Sequence, residues 1–393
     1  MMYFLLIKGL IMKKFCPFVS NNIEIDSAGY YKPCCISTKK FEINGIPANA
    51  QQYSLPDIMK LSDRKDWIAN FNNDILERDC RQCHDLEKSG GESKRQREER
   101  TWSADSQDFH GVFKTDTLQS IDLKMGNTCN LLCAICSPWS SSKWGSFYRS
   151  IDMSNAPYQR WPDKTEFWDG LNEYAHSIQK IELAGGEPFM IKKQEILLKF
   201  LIERDLAKDI DISWFTNCTI WPEKLVKYFK HFRFVRIMLS LDNTEEQFEY
   251  IRYPGKWSET YEIFKKFKQM HDNREIHLGI SHSIGLLNVW RLPEFHAWCR
   301  EHEVAIFNNI VVEPAGVRDL PYEFKLEVKE KLEAQTDPSF QNNPIVGKDN
   351  WLVKFMMEDG LKNDIPNWYK TFVQPSRPEL NLLETFPELK GIL

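Results

Sequence analysis

The order of apolar and polar positions divides the chain into two kinds of segment. From residue 120 onward, short apolar runs alternate with longer stretches whose apolar residues recur at i, i+3 and i+4. Residues 120–124, 178–183, 210–215, 234–239, 276–281 and 305–311 read as strands. Between them, residues 192–204, 222–232, 261–271 and 292–302 read as packed amphipathic helices. Alternation of this kind implies β/α units around a parallel sheet. Before residue 120 the pattern changes. Residues 22–26 alternate as a strand, Ser27-Ala28-Gly29 is a turn, and residues 30–32 return, a hairpin with glycine where positive φ is cheap. Residues 55–71 read as one helix, and the mixed charges of residues 84–114 as a solvated helix or linker. A domain boundary is expected between about residues 100 and 117. The insert 137–177 is rich in aromatic rings (Trp139, Trp144, Tyr148, Trp161, Trp168) and should form helices over the mouth of the sheet, with most rings in the core. Residues 322–334 and 351–361 read as C-terminal helices, and no internal repeat is present.

Composition narrows the class. A chain of 393 residues holds two or three domains, and 42% hydrophobic with 27% charged residues is a globular composition. The net charge of −5 provides no basic field, which argues against a general nucleic-acid partner. The 13 tryptophans and 25 phenylalanines imply a large core and aromatic surface around a pocket. Residues 1–11 are apolar but too short to span a bilayer, and they lack a signal-peptide cleavage site. Met12-Lys13-Lys14-Phe15 is a more natural start, so residues 1–11 read as a mis-started or extra segment of a cytoplasmic protein with no membrane partner. The ten cysteines are clustered, which in the cytosol points to metal binding.

Cys129, Cys133 and Cys136 follow the first barrel strand with the spacing C-x3-C-x2-C. Thiolates select zinc, copper(I) or iron–sulfur clusters. Three cannot close a tetrahedral zinc site, but on a cubane cluster they hold three irons and leave the fourth open. Upstream, the hairpin brings Cys16 and Cys34 together, and Cys80-Arg81-Gln82-Cys83 presents two thiolates from one turn. Cys16, Cys34, Cys80 and Cys83 therefore form a second candidate set of four, open to a cluster or to a structural zinc. Cys35 reads as a spare buried thiol that is also able to replace Cys34.

The triplet after one strand, with Gly185-Gly186-Glu187-Pro188 after the next, resembles the radical S-adenosylmethionine (SAM) superfamily. That resemblance implies a partial (β/α)6 TIM-like barrel over residues 115–318. It implies a [4Fe–4S] cluster whose open iron chelates SAM. One electron then cleaves SAM to methionine and a 5′-deoxyadenosyl radical, which abstracts hydrogen from substrate. It also implies SAM contacts from Gly185, Gly186, Glu187 and Pro188, with the Glu187 carboxylate and nearby carbonyls suited to the SAM ammonium. Ser240 and Asp242 suit a ribose or that ammonium, or else a helix N-cap, and Arg252 suits the SAM carboxylate or a surface salt bridge. Thr216-Asn217-Cys218 stands where the family commonly has Thr-Asn-Gly, so that backbone is not expected to need positive φ, and Cys218 reads as packed. His282 reads as structural.

The four-thiol segment, residues 12–100, is similar to the twitch and SPASM auxiliary-cluster modules, with twitch the closer match. It departs from them in preceding the barrel and in lacking the further SPASM ligands. The similarity implies a small N-terminal α+β domain with a second [4Fe–4S] cluster, Arg95 facing it, and a helical tail over residues 319–393. The enzyme implied acts on a peptide or protein, with a small carbohydrate or nucleotide as the runner-up substrate, and takes electrons from a flavodoxin or ferredoxin. A non-catalytic zinc-binding protein is the alternative of another class.

Overall fold

The computed structural model describes residues 16–73, 75, 78–105, 117–153, 161–311, 315–335, 350–358, 360 and 364–392. The segment 1–11 and the start at Met12 lie outside the described residues, as does part of the helix expected over 351–361. The strands are β1 (Asn22–Ile25), β2 (Tyr31–Lys32), β3 (Glu42–Ile43), β4 (Ile46–Pro47), β5 (Ser120–Leu123), β6 (Lys180–Leu183), β7 (Asp211–Thr216), β8 (Phe234–Leu239), β9 (His277–Ile284) and β10 (Ala305–Ile310). All but β3 and β4 form one sheet, ordered β10-β9-β8-β7-β6-β5-β1-β2. Strands β5 to β10 run parallel and in sequence. The fold is α/β, a partial TIM-like barrel with a helical C-terminal region.

The helices that cover the sheet follow from their apolar stripes. Helix α8 (Lys193–Glu203) buries Leu197, Leu198 and Leu201, and α11 (Trp257–Asp272) buries Phe264 and Phe267. Helix α12 (Leu292–Glu301) buries Phe295 and Cys299. The insert after β5 forms α6 (Ser142–Ser150) and α7 (Thr165–Tyr174), with Trp144 and Trp161 buried and Trp139 exposed. The C-terminal α13 (Tyr322–Glu333) and α14 (Trp351–Met357) form a second apolar cluster with Leu286, Leu287 and, from the cysteine loop, Ala134.

Two expectations are corrected. Residues 55–71 are not one helix but two, α2 (Leu55–Lys60) and α3 (Ser62–Asn72), because Leu61 between them is extended, with ψ at 135°. Ser62 and Asp63 are residues of a helix start, and the Asp63 carboxylate accepts from Glu42 N at 2.9 Å. Residues 84–105 are largely helical as expected but not wholly solvated, since Glu98 is buried; residues 106–114 lie outside the described residues. The helices are α4 (Arg81–Lys88) and α5 (Lys94–Asp105), and α5 sends buried charges to the barrel.

The hairpin also does more than carry cysteines. β1 pairs in parallel with β5 from Asn22↔Ser120 to Ile25↔Leu123, so the N-terminal segment extends the barrel's own sheet. This covers the β5 edge and buries Ile23 and Ile25 completely.

The register aligns three buried carboxylates across neighbouring strands, Glu24 beside Asp122 beside Glu182. Lys32 lies 3.2 Å from Glu24, and Lys124 also pairs with it. Lys94 of α5 meets Glu182 at 2.6 Å, while Lys180 bridges Glu182 at 3.4 Å and pairs with Glu98. Asp122 is the least compensated, with Lys94 at 3.9 Å. Burial, aided by the Glu182 charge, pushes its carboxyl up to about 7. The ordinary carboxyl value is about 4. Between the two, the folded chain keeps a proton that the unfolded chain has released, so stability falls as pH rises toward 7. Asp122→Asn is expected to flatten that fall between pH 5 and 8 and to raise Tm at pH 8 by about 5 °C. A lower Tm at pH 8 in a thermal melt would show that the Lys94–Asp122 attraction dominates instead.

Candidate cofactor and metal sites

The loop between β5 and α6 carries Cys129, Cys133 and Cys136 at the C-terminal end of the strand, the end where parallel barrels gather their chemistry. Its shape is held by backbone and side-chain bonds from several elements. Leu132 N and Ala134 N donate to the carbonyls of Tyr253 and Ile251, at 2.6 and 2.7 Å. Ser141 Oγ donates to Leu131 O at 2.7 Å, and Trp144 Nε1 to Cys133 O at 2.9 Å. From the C-terminal tail, the fully buried Arg377 donates to Leu132 O, and to Tyr250 O at 2.8 Å. Burial, with the neighbouring thiols adding, raises Cys136, and it pushes Cys133 up to about 11.

The Gly185–Gly186 turn after β6 lies flat against this loop. Gly185 has φ +82° and Gly186 φ +55°. A Cβ on Gly186 would overlap Thr128 O and fall 2.7 Å from the Asn127 carbonyl carbon. Glu187 N donates to Thr128 O at 2.7 Å, which ties the turn to the residue before Cys129. The Glu187 carboxylate is fully buried and engaged. It accepts from Thr216 Oγ1 (2.8 Å), Asn217 N (2.7 Å) and Phe189 N (3.1 Å), and burial pushes it up to about 7. The carboxylate thereby locks the ends of β6 and β7 together. Pro188, buried, opens the short helical turn Pro188–Met190 that Glu187 caps.

Asn217 is a site residue that the motif reading left unassigned. Its Nδ2 lies 3.9 Å from Cys129 Sγ and donates to Asn130 Oδ1 at 2.9 Å. Cys218 has φ +62°, so the left-handed backbone is kept although glycine is absent; the expectation that it would not be needed is overturned. The side chain is buried with Sγ 3.7 Å from Thr260 O, a packed residue as read.

Asp242 and Arg252, read as separate SAM contacts, meet each other. Arg252 Nη2 lies 2.7 Å from Asp242 Oδ2, and both are buried, so a surface bridge is excluded. Asp242 does not cap a helix. Helix α10 (Glu245–Ile251) has Thr244 at its N-cap, and Asp242 Oδ1 accepts from Ser283 N at 3.0 Å. The guanidinium also faces the cysteine loop, with Nη1 3.8 Å from Cys133 Sγ, and its buried Nε has no hydrogen-bond partner. Ser240 is half-buried at the end of β8, its N donating to Thr216 O at 2.7 Å. His282 is structural: fully buried, it meets Asn308 Oδ1 at 3.0 Å and Asn288 Nδ2 at 3.1 Å, and burial lowers its pKa.

Cys16, Cys34, Cys80 and Cys83 line one cavity of about 50 Å³, together with Phe18, Lys94 and Arg95. Cys35 does not line it and instead accepts from Lys94 Nζ at 3.0 Å. Burial, with the Cys34 charge adding, raises Cys16, and burial pushes Cys34 up to about 11. Arg95 grips Glu87 at 2.9 and 3.0 Å and Glu99 at 3.0 Å. Among the described residues, no three His, Cys, Asp or Glu side chains converge as they would on a single ion. No helix among them is long and apolar enough to cross a membrane.

Residues 123–283 match the model of the radical SAM superfamily, and both the cysteine triplet and the Gly-Gly-Glu-Pro turn fall inside the match. That segment of the chain is thus similar to a radical SAM domain. No curated protein matches it. Among solved structures, the fold is similar to anSMEcpe with bound AdoMet and a Cp18Cys peptide, at 16% identity and TM-score 0.38 over 55% of this chain and 59% of that one. It is similar to Streptococcus suis SuiB bound to S-adenosylmethionine, at 12% identity and TM-score 0.34 over 69% and 49%. It is also similar to the methyltransferase TsrM from Kitasatospora setae, at 13% identity and TM-score 0.35 over 49% and 36%. In each case the chain spans less than two thirds of the solved protein's length.

Proposed function

We propose, from the similarity of residues 123–283 to a radical SAM domain, that this chain is an enzyme that cleaves SAM reductively and abstracts hydrogen from a peptide or protein. Cys129, Cys133 and Cys136 would hold the [4Fe–4S] cluster. The observation that carries the reading is the seating of their loop against the Gly185–Gly186 turn, a contact too close for any side chain. When bound, the cluster supplies one electron to SAM, giving methionine and a 5′-deoxyadenosyl radical that becomes 5′-deoxyadenosine on taking a substrate hydrogen.

The protein's own groups provide the setting. Gly185 and Gly186 let the turn pack against the backbone of Gly126, Asn127 and Thr128, just before Cys129. Glu187 is a positioning residue, fixing the turn to β7 through Thr216 and Asn217. Arg252 sets positive charge beside Cys133, and its unpartnered Nε suits an anionic group of the cofactor. Ser240 lies at the neighbouring strand end. Cys16, Cys34, Cys80 and Cys83 would hold a second [4Fe–4S] cluster. A zinc ion draws its sulfurs to about 2.3 Å from one point, whereas a cluster fills the space between them. Four thiols around a cavity favour the latter. The division into a four-thiol unit at 12–100, a barrel at 115–318 and an extension at 319–393 is part of this reading. So are the flavodoxin- or ferredoxin-type donor and the cytoplasmic setting.

Anaerobic reconstitution with iron and sulfide should give brown protein with about eight irons per chain. Adding SAM and dithionite should release 5′-deoxyadenosine, measured by chromatography. Colourless protein that retains zinc and releases no nucleoside would overturn the proposal.

A further inference from the structure

The segment that carries the cysteine triplet is free of negative charge. From Leu123 to Ile151 the chain has no aspartate or glutamate, although it holds 56 of them in all and a net charge of −5. Lys124 in that stretch is taken up by Glu24, which leaves Lys143 and Arg149 on α6. Lys143, Ser146, Arg149 and Ser150 are exposed, and their spacing sets them along one outward face of the helix. Arg149 Nη2 donates to a neutral acceptor, Ser146 Oγ, at 3.0 Å, and among the described residues neither cation is ion-paired. Lys143 also stands in the first turn of α6, where the helix dipole disfavours a cation. Local stability does not account for a lysine there.

This face is fastened to the triplet loop. The hydroxyl of Ser142, beside Lys143, accepts from Cys129 N at 3.1 Å, and Ser142 N donates to Asn127 O at 2.7 Å. From the buried side of the same helix, Trp144 Nε1 donates to Cys133 O at 2.9 Å, and Tyr148 stacks on Phe372 of the tail at 5.2 Å. Trp139 is 50% exposed only three residues after the half-buried Cys136, so the two Cα atoms lie within about 11 Å. Its segment is pinned by Asn127 Nδ2, which donates to Pro138 O at 3.0 Å. An exposed ring and two unopposed cations thus sit on elements bonded directly to the triplet loop.

We propose that Trp139 and the Lys143–Arg149 face of α6 form the docking surface for the protein that delivers the electron, a small acidic one-electron carrier. The assignment rests on the reductive reading given above, which consumes one electron for each SAM cleaved and returns the carrier oxidised by one electron. Charge complementarity sets the sign of the partner, since an acidic surface is steered to this face. A nucleic acid, also acidic, is disfavoured by the chain's overall charge. Two cations and one ring match the small interface of a transient redox encounter, not that of a permanent complex.

The test uses the reconstituted full-length protein with a flavodoxin as the probe. Calorimetry reads the binding of oxidised flavodoxin, and 5′-deoxyadenosine is measured with reduced flavodoxin or with dithionite, which needs no docking surface. Binding should weaken at least about tenfold between low and high salt. At low salt, Lys143→Glu with Arg149→Glu should weaken it at least about tenfold and slow flavodoxin-driven turnover to match, with the dithionite rate within about twofold of wild type. Lys143→Gln with Arg149→Gln should give a smaller loss in the same direction, and Trp139→Ala a several-fold loss of binding. Undetectable binding by the wild type, binding unchanged by charge reversal, or equal losses with both reductants would overturn the proposal. Binding that is lost on charge reversal, in a protein making no 5′-deoxyadenosine even with dithionite, would sink only the catalytic reading.

Discussion

Cys129→Ala is expected to abolish 5′-deoxyadenosine formation, a loss of at least about a thousandfold, while about four of eight irons remain bound. The magnitude follows from the absence of a reserve ligand. Three thiolates already leave one iron open, and removing another leaves too few to hold a cubane. Cys218, just after β7, is no substitute, because it is buried with Sγ toward Thr260 O. Cys80→Ala should do the reverse, removing the other four irons and sparing much of the SAM cleavage. Iron analysis beside the nucleoside assay reads both outcomes. Wild-type nucleoside yield from Cys129→Ala, or loss of all iron from either variant, would show that the two thiol groups are not independent cluster sites.

The barrel was legible because its strands are brief and its helices periodic. Runs such as Phe234–Leu239 are too short for a helix, and Leu197, Leu198 and Leu201 recur at helical spacing. The cysteine spacing and the glycine pair were legible for a different reason, since each is confined to a few adjacent residues. What stayed hidden depends on distant partners. Lys94 and Glu98 look like solvent charges until the register of β1, β5 and β6 lines up Glu24, Asp122 and Glu182 behind them. Asp242 and Arg252 each suggested a cofactor contact, and only the course of α10 brings them to 2.7 Å from one another. Removing either partner of such a buried pair typically costs about 3–5 kcal/mol, so a variant there tests folding before function. Arg377 had no local signal at all: it bonds Leu132 O from 245 residues away. Cys34 and Cys35 were inseparable as neighbours, yet the backbone turns them apart, one to the cavity and one to Lys94.

Gly186→Ala is the other change with a large expected effect, and it separates backbone strain from close approach. Its φ of +55° lies in the left-handed region, where a Cβ costs about 1–2 kcal/mol. Gly45, at φ +75°, has the same handicap but nothing within 4 Å of the place its methyl would take, so Gly45→Ala should lose about that amount and no activity. At Gly186 the methyl also meets Thr128 O and the Asn127 carbonyl carbon, which are backbone and have no rotamer to escape into. The turn must therefore lift from the loop, breaking the 2.7 Å bond from Glu187 N to Thr128 O and shifting Cys129, the next residue. Gly186→Ala should thus melt several degrees below Gly45→Ala and make at least tenfold less 5′-deoxyadenosine, with the N-terminal irons retained. If the two alanine variants melt together and turn over alike, the contact between turn and loop does not govern the chemistry, and the site must be organised from elsewhere on the barrel rim.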